Sequence, residues 1–266
     1  MTHDPKQLAR DAAVSLASHF QVSSIDIALV LGSGWATGAD QLGEPLGELP
    51  LAKIPGFAAP VVSGHGGALK VARTRGGKIA AVLTGRTHFY EGRGVAAVVH
   101  GVRTIAAWGA STLVLTNGCG SLNTAWRPGT VVLISDHINL TGDTPLTGAT
   151  FIDMSGAYSP RLRDVARSVQ PDLPEGVYVQ FRGPQYETPA EVRMAGLLGG
   201  DLVGMSTALE TIAAREADLK VLGLSLVTNP AAGLSESGLD HAEVLQTGRD
   251  AGPRLAQLLA GIVEAL

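Results

Sequence analysis

Short β-branched apolar runs alternate along this chain with alanine- and leucine-rich segments of helical period. The pattern predicts strands at residues 27–31, 78–83, 112–116, 131–135, 177–181, 202–205 and 221–228. It predicts helices at residues 5–19, 95–108, 160–169, 189–198, 208–217 and 242–266. Strands and helices taking turns in this way specify an α/β layered domain with a largely parallel sheet. No long linker, internal repeat or low-complexity tract interrupts it, so residues 1–266 are expected to form a single domain. Residues 142–156 are rich in Thr, Gly and Pro; such a loop is suited to cover a site or to meet a neighbouring subunit.

Composition narrows the function classes. With 266 residues, 45% of them hydrophobic, the chain can bury a large core without disulfide or metal staples. The net charge of -4, with basic residues scattered, offers no field for gripping a nucleic-acid backbone. Cys119 is the single cysteine, which excludes an internal disulfide and suits a reducing cytosol. The first residues lead into an amphipathic segment interrupted by Arg10, Asp11 and His19, unlike a signal peptide or a membrane span. A cytoplasmic protein with neither membrane nor nucleic-acid partner is the expectation.

The chemistry gathers just after the strands, where α/β sheets bind ligands. Leu83-Thr84-Gly85-Arg86-Thr87-His88-Phe89-Tyr90-Glu91-Gly92 places an arginine, a histidine and a tyrosine behind an apolar run. In an extended segment Arg86, His88 and Tyr90 would share one side, with Arg86 a planar fork suited to phosphate; a solvated strand end is the plainer alternative. Gly32-Ser33-Gly34-Trp35 allows backbone N–H groups and the Ser33 hydroxyl to approach an anion, or forms a simple tight turn. Thr188-Pro189-Ala190-Glu191, Thr207-Ala208-Leu209-Glu210 and Asp240-His241-Ala242-Glu243 each read as a capping box. Beside those helix starts lie Glu187, Met205, Ser206 and His241, placed for ligand contact or, respectively, as a solvated carboxylate, a core methionine and polar cap neighbours. There is no dinucleotide fingerprint, no Walker A loop, no Gly-x-Ser-x-Gly elbow and no metal-ligand spacing among the seven histidines, so neither a metal nor a cofactor is expected.

Taken in order, Gly32-Ser33-Gly34, Gly64-His65, residues 85–92, Thr116-Asn117, Asp136-His137-Ile138-Asn139-Leu140, Tyr186-Glu187-Thr188, residues 203–207, Thr228-Asn229 and residues 241–245 resemble the motifs of the trimeric purine nucleoside phosphorylases acting on 6-oxopurines. The resemblance spans nearly the whole chain and implies the nucleoside phosphorylase fold, with its mixed, mostly parallel central sheet flanked by helices, a homotrimer and phosphorolysis in purine salvage, with inorganic phosphate as co-substrate. It implies phosphate binding by Ser33, His65, Arg86, His88, Ser206 and the backbone of Gly118. Tyr90, Met205 and His241 would line the ribose, with Phe151 covering the sugar from a neighbouring subunit. Glu187 and Asn229 would read the base, helped by Val203, Tyr186 and Thr228, and Asn229, His88 and Glu187 would carry catalysis. A carboxylate at 187 accepts hydrogen bonds from N1–H and a 2-amino group; an amide at 229 can bond N7 and O6.

Gly118-Cys119-Gly120-Ser121 departs from the two alanines and two glycines usual in this family, and Cys119-Gly120-Ser121-Leu122 is similar to the methylthioadenosine phosphorylases. Those enzymes usually carry aspartate where this chain has Asn229. Glu187 and Asn229 therefore favour the 6-oxopurine reading; a 6-aminopurine phosphorylase is the alternative.

Overall fold

In the computed structural model, which describes residues 4–57, 67–235 and 241–266, consecutive residues of the central strands face opposite cores. In β1 (Ile27–Val30), Ala28 and Val30 join one buried cluster while Ile27 and Leu29 join another. The same split divides Leu113 and Leu115 from Val114 in β5 (Thr112–Ser121), and Val221 and Val227 from Leu222, Leu224 and Leu226 in β9 (Lys220–Pro230). A strand sandwiched between two apolar layers has no polar face, which explains the uninterrupted apolar runs. The first layer contains Ala12 and Leu16 of α1 (Pro5–Phe20), Val102 and Ile105 of α3 (His100–Ala107), and Leu209 and Ala213 of α6 (Ala208–Glu216). The second contains Leu162 and Ala166 of α4 (Pro160–Val169) and Leu255, Leu259 and Ile262 of α7 (His241–Ala265).

One nine-stranded sheet holds these layers apart. The remaining strands are β2 (Glu44–Pro50), β3 (Ala68–Arg73), β4 (Ile79–Leu83), β6 (Val131–Asn139), β7 (Glu175–Gln180) and β8 (Leu202–Gly204). Their order is β2-β3-β4-β1-β5-β8-β7-β6-β9, and β9 also pairs with β5. The last five strands therefore close into a ring, and β1 joins that ring to an open arm of β4, β3 and β2. Pairing is parallel for β1 with β4 and β5, β5 with β9, and β7 with β6 and β8. It is antiparallel at β2–β3, β3–β4, β5–β8 and β6–β9. The expected mixed, mostly parallel sheet with flanking helices is thus the observed architecture.

Three local features depart from the sequence expectation. Strands β2 and β3 appear where none is predicted: β2 is largely exposed and carries Pro45, Gly47 and Pro50, so neither composition nor alternation marks it. The helix expected at 95–108 is two, α2 (Val95–Val98) and α3, because Val99 turns out of helical geometry at ψ 2. Strands β5 and β9 run past their apolar segments, staying paired through a bulge at Cys119/Gly120 that sets Gly120 against Asn229. Among the described residues no helix is long and apolar enough to cross a membrane.

The long α7 presses directly on the loop that follows β1. A Cβ at Gly248 would lie 2.5 Å from Gly34 Cα, and Gly34 itself has φ +86. Backbone thus meets backbone with no side chain between them. Gly248→Ala is expected to cost about 1–3 kcal/mol, the usual range for forcing an extra carbon into a packed interior. Its urea midpoint should fall accordingly; an unchanged midpoint would show that the two segments can separate freely.

Candidate active site

Around the last residues of β5, β8 and β9, and just past the ends of β1, β4 and β7, lies a cavity of about 320 Å³. One wall starts with the loop after β1, where Gly32 N–H donates to Thr116 Oγ1 at 3.0 Å and Trp35 Nε1–H to the Asn117 carbonyl at 2.9 Å. A Cβ at Gly32 would stand 2.6 Å from Arg86 Nη1, so the glycine leaves the path that the guanidinium occupies. Arg86 Nη1 donates to the Thr116 carbonyl at 2.7 Å and Nε to Glu210 Oε1 at 3.0 Å. Its Nη2 is buried with no hydrogen-bond partner among the described residues.

Glu210 also accepts from Thr207 N–H at 2.9 Å, in the capping box that the sequence predicts. Thr207 has φ 85, a left-handed conformation that strains a β-branched residue by about 1–3 kcal/mol. Asn117 Nδ2 donates to Thr207 Oγ1 at 2.9 Å, and Thr207 Oγ1 lies 3.2 Å from Ser206 Oγ. This web fixes Ser206 just before α6. Gly118 closes the same wall, since a Cβ there would come within 3.3 Å of the Ser33 carbonyl and 3.2 Å of the Thr228 methyl.

His88 and Tyr90 line the cavity beside Arg86, but not through extended alternation. Residues Phe89–Glu91 form a 3-10 turn, started by His88 N–H donating to Glu91 Oε1 at 2.7 Å. The turn stacks the His88 and Tyr90 rings at 4.8 Å and 13°. Burial, then the nearby Glu91 carboxylate, raises the Tyr90 hydroxyl pKa. Across the cavity Met205 meets Tyr90 over Gly183, where a Cβ would lie 2.5 Å from Met205 Sδ and 3.0 Å from Tyr90 Cδ1.

The opposite wall is drier. Glu187 is buried, Oε1 has no hydrogen-bond partner among the described residues, and desolvation raises its carboxyl pKa above the usual carboxylate value. Thr228 Oγ1–H donates to Asn229 Oδ1 at 2.7 Å, and Asn229 Nδ2 donates to the Pro230 carbonyl at 2.8 Å. A carbonyl can only accept, so Pro230 decides which way the amide faces. Val203 on β8 pairs with Gly120 in the floor. Cys119 packs beneath, its thiol donating to the Leu226 carbonyl at 3.4 Å and its pKa raised to about 12 by burial.

The cavity thus brings together Ser33, Arg86, His88, Tyr90, Gly118, Tyr186, Glu187, Val203, Met205, Ser206, Thr228 and Asn229. Phe151 is apart from it and 92% exposed. His65 lies outside the described residues, and of His241 only its place at the start of α7 is described. Sequence reasoning read Glu210 as a helix cap and missed it as the partner of Arg86, 124 residues away.

A family model for the phosphorylase superfamily matches residues 26–264. A purine nucleoside phosphorylase from Cellulomonas sp is 60% identical over 98% of this chain and 94% of its own. The chain belongs to the purine nucleoside phosphorylase family. Within that family the fold is close to two solved structures of Schistosoma purine nucleoside phosphorylase. The complex with hypoxanthine has a TM-score of 0.88 at 32% identity, covering 97% of this chain and 96% of that one. The complex with adenosine, from Schistosoma mansoni, has a TM-score of 0.89 at the same identity and coverage.

Proposed function

We propose that this chain cleaves 6-oxopurine nucleosides, such as inosine and guanosine and their deoxy forms, by phosphorolysis to free purine and (deoxy)ribose 1-phosphate in purine salvage. One observation carries the reading. A single cavity is lined by Arg86 and Glu187, each with a buried polar atom, the donor Nη2 and the acceptor Oε1, that the described protein leaves without a hydrogen-bond partner. Unmet buried polar groups cost about 1–3 kcal/mol each, more when charged, so such a pair is worth retaining where a ligand completes it. An inorganic phosphate suits the first, and the N1–H of a 6-oxopurine suits the second.

In this reading Ser33, Arg86, His88, Ser206, the Gly118 backbone and His65 hold phosphate. Tyr90, Met205 and His241 line the ribose, and Phe151, exposed in the isolated chain, covers the sugar of a neighbouring subunit in a homotrimer. Glu187 and Asn229 read the base, with Val203, Tyr186 and Thr228 shaping its slot. As the C1′–N9 bond lengthens, the ribosyl centre gains oxocarbenium character and the bonding pair moves onto the purine. The remaining Asn229 N–H donates to N7 as charge builds there, and Glu187 holds N1–H. Phosphate, aligned by His88 and Arg86, forms the C1′–O bond from the opposite face, so positioning and electrostatics do what a covalent nucleophile would otherwise do. No metal or cofactor takes part.

The Gly118-Cys119-Gly120-Ser121 segment favours a second reading, a methylthioadenosine or other 6-aminopurine phosphorylase. Against it stand Glu187 and Asn229, a carboxylate and an amide suited to a 6-oxopurine, while the buried Cys119 thiol donates to the Leu226 carbonyl. The deciding experiment measures base release from inosine, adenosine and methylthioadenosine with and without inorganic phosphate. Phosphate-dependent cleavage of inosine is expected to dominate; preferential cleavage of the adenine nucleosides would establish the second reading. For the trimer, sedimentation and specific activity on dilution serve, since a fully active monomer would remove Phe151 from the site.

A further inference from the structure

We propose that Glu210 is the positioning residue of the phosphate site, setting Arg86 and Ser206 in one register. The inference rests on the reading of those two residues as phosphate ligands. Glu210 does not line the main cavity; with Arg86 it borders a separate void of about 50 Å³, so any effect on a bound anion passes through its neighbours. Each of its oxygens takes one donor from a different part of the fold, Oε1 from Arg86 Nε at 3.0 Å and Oε2 from Thr207 N–H at 2.9 Å. The guanidinium is rigid and planar, so holding Nε with Glu210 and Nη1 with the Thr116 carbonyl leaves Nη2 no freedom of direction. The second contact holds the left-handed Thr207, and Ser206 is the residue immediately before it. One carboxylate therefore ties the cationic donor after β4 to the hydroxyl before α6. The pair is secluded from water, with side chains 3% and 2% exposed, so solvent offers no replacement for either contact.

The carboxylate is needed for its reach and for its two acceptor oxygens. Aspartate is one methylene shorter and cannot span both donors. Glutamine has the length but sets an NH₂ against one of the two N–H groups. The experiment measures inosine cleavage by the full chain, titrating phosphate and inosine separately in wild type, Glu210→Asp and Glu210→Gln. Glu210→Asp, which keeps the buried charge pair and so favours a folded protein, is expected to raise the phosphate KM about tenfold or more, the effect of misplacing a ligand by a fraction of an ångström to one ångström. Its inosine KM should stay within about twofold of wild type, because Glu187 and Asn229 are unaffected. Glu210→Gln should act in the same direction, and in an Arg86→Lys background, where the fork is already gone, it should add little. A variant that loses thermal stability while its phosphate KM stays within twofold of wild type would overturn the proposal and make Glu210 a structural residue only. Wild-type cleavage that does not depend on phosphate would instead remove the underlying reading, and the two failures cannot be confused.

Discussion

Asn229→Ala is expected to slow inosine phosphorolysis by about tenfold to a thousandfold, the range for losing one donor aimed at developing charge. The structure gives the amide a defined polarity: the Pro230 carbonyl accepts one N–H and the Thr228 hydroxyl donates to Oδ1, which leaves one N–H for the base. Charge on the purine is greatest when the glycosidic bond is most stretched, so the loss should fall on kcat more than on the inosine KM. Burst or single-turnover kinetics separate that step from product release; a near-normal chemical rate would dismiss Asn229 from the mechanism. Asn229→Asp tests the same position differently. A carboxylate there still accepts from Thr228 but opposes the Pro230 carbonyl unless it is protonated, and a protonated carboxyl group bonds a 6-aminopurine better than a 6-oxopurine. Selectivity should therefore move toward adenosine as overall activity falls, and unchanged selectivity would count against base reading at 229.

The second large effect has two opposed signs. Glu187→Gln should lower kcat/KM for inosine by about 10- to 150-fold, corresponding to about 1.5–3 kcal/mol for a hydrogen bond to a charged group. The same change should raise the melting temperature of the ligand-free protein. Burial raises the Glu187 carboxyl pKa in the folded chain, so the folded state binds this proton more tightly than the unfolded one. Stability from this group is then fullest at low pH and is lost as pH rises from the unfolded carboxyl pKa through the raised folded one. The penalty is complete above the raised folded pKa, and removing it there is expected to raise the melting temperature. The gain should vanish in acid, where both side chains are neutral. Catalysis follows the same ionisation: the acid limb of wild-type kcat/KM should lie above the ordinary carboxylate range and be absent in the variant. A variant less stable at pH 7 and more stable in acid would contradict this account.

Much of the architecture is legible along the chain because burial on both faces leaves a local mark. The runs at β1, β5 and β9 are apolar at every position since consecutive side chains enter different cores. Thr188 and Glu191 announce the start of α5 (Pro189–Leu197), and their reciprocal hydrogen bonds at 2.7 and 3.2 Å are present. Strand β2 leaves no mark because it is mostly exposed and interrupted by Pro45, Gly47 and Pro50. Val99 was hidden inside an otherwise regular helical period, since a break in dihedral angles need not change hydropathy. In the site, what is read locally is residue type: a fork at Arg86, a carboxylate at Glu187, an amide at Asn229. What is not read is pairing between distant segments, such as Arg86 with Glu210 or Asn117 with Thr207, which only the folded sheet brings together. Nor does spacing reveal that Phe89–Glu91 curls, so that His88 and Tyr90 stack instead of alternating.

Ring closure among β5, β8, β7, β6 and β9 also has a colloidal meaning. Each strand of the ring has a partner on both sides over part of its length, so among the described residues β2 is the strand paired on one side alone. That strand carries Pro45 and Pro50, which lack N–H donors, and exposed Glu44 and Glu48. An incoming strand would meet missing donors and negative charge, the devices by which sheet proteins avoid fibrous growth. Growth of the sheet by edge-to-edge addition of further strands is thereby disfavoured.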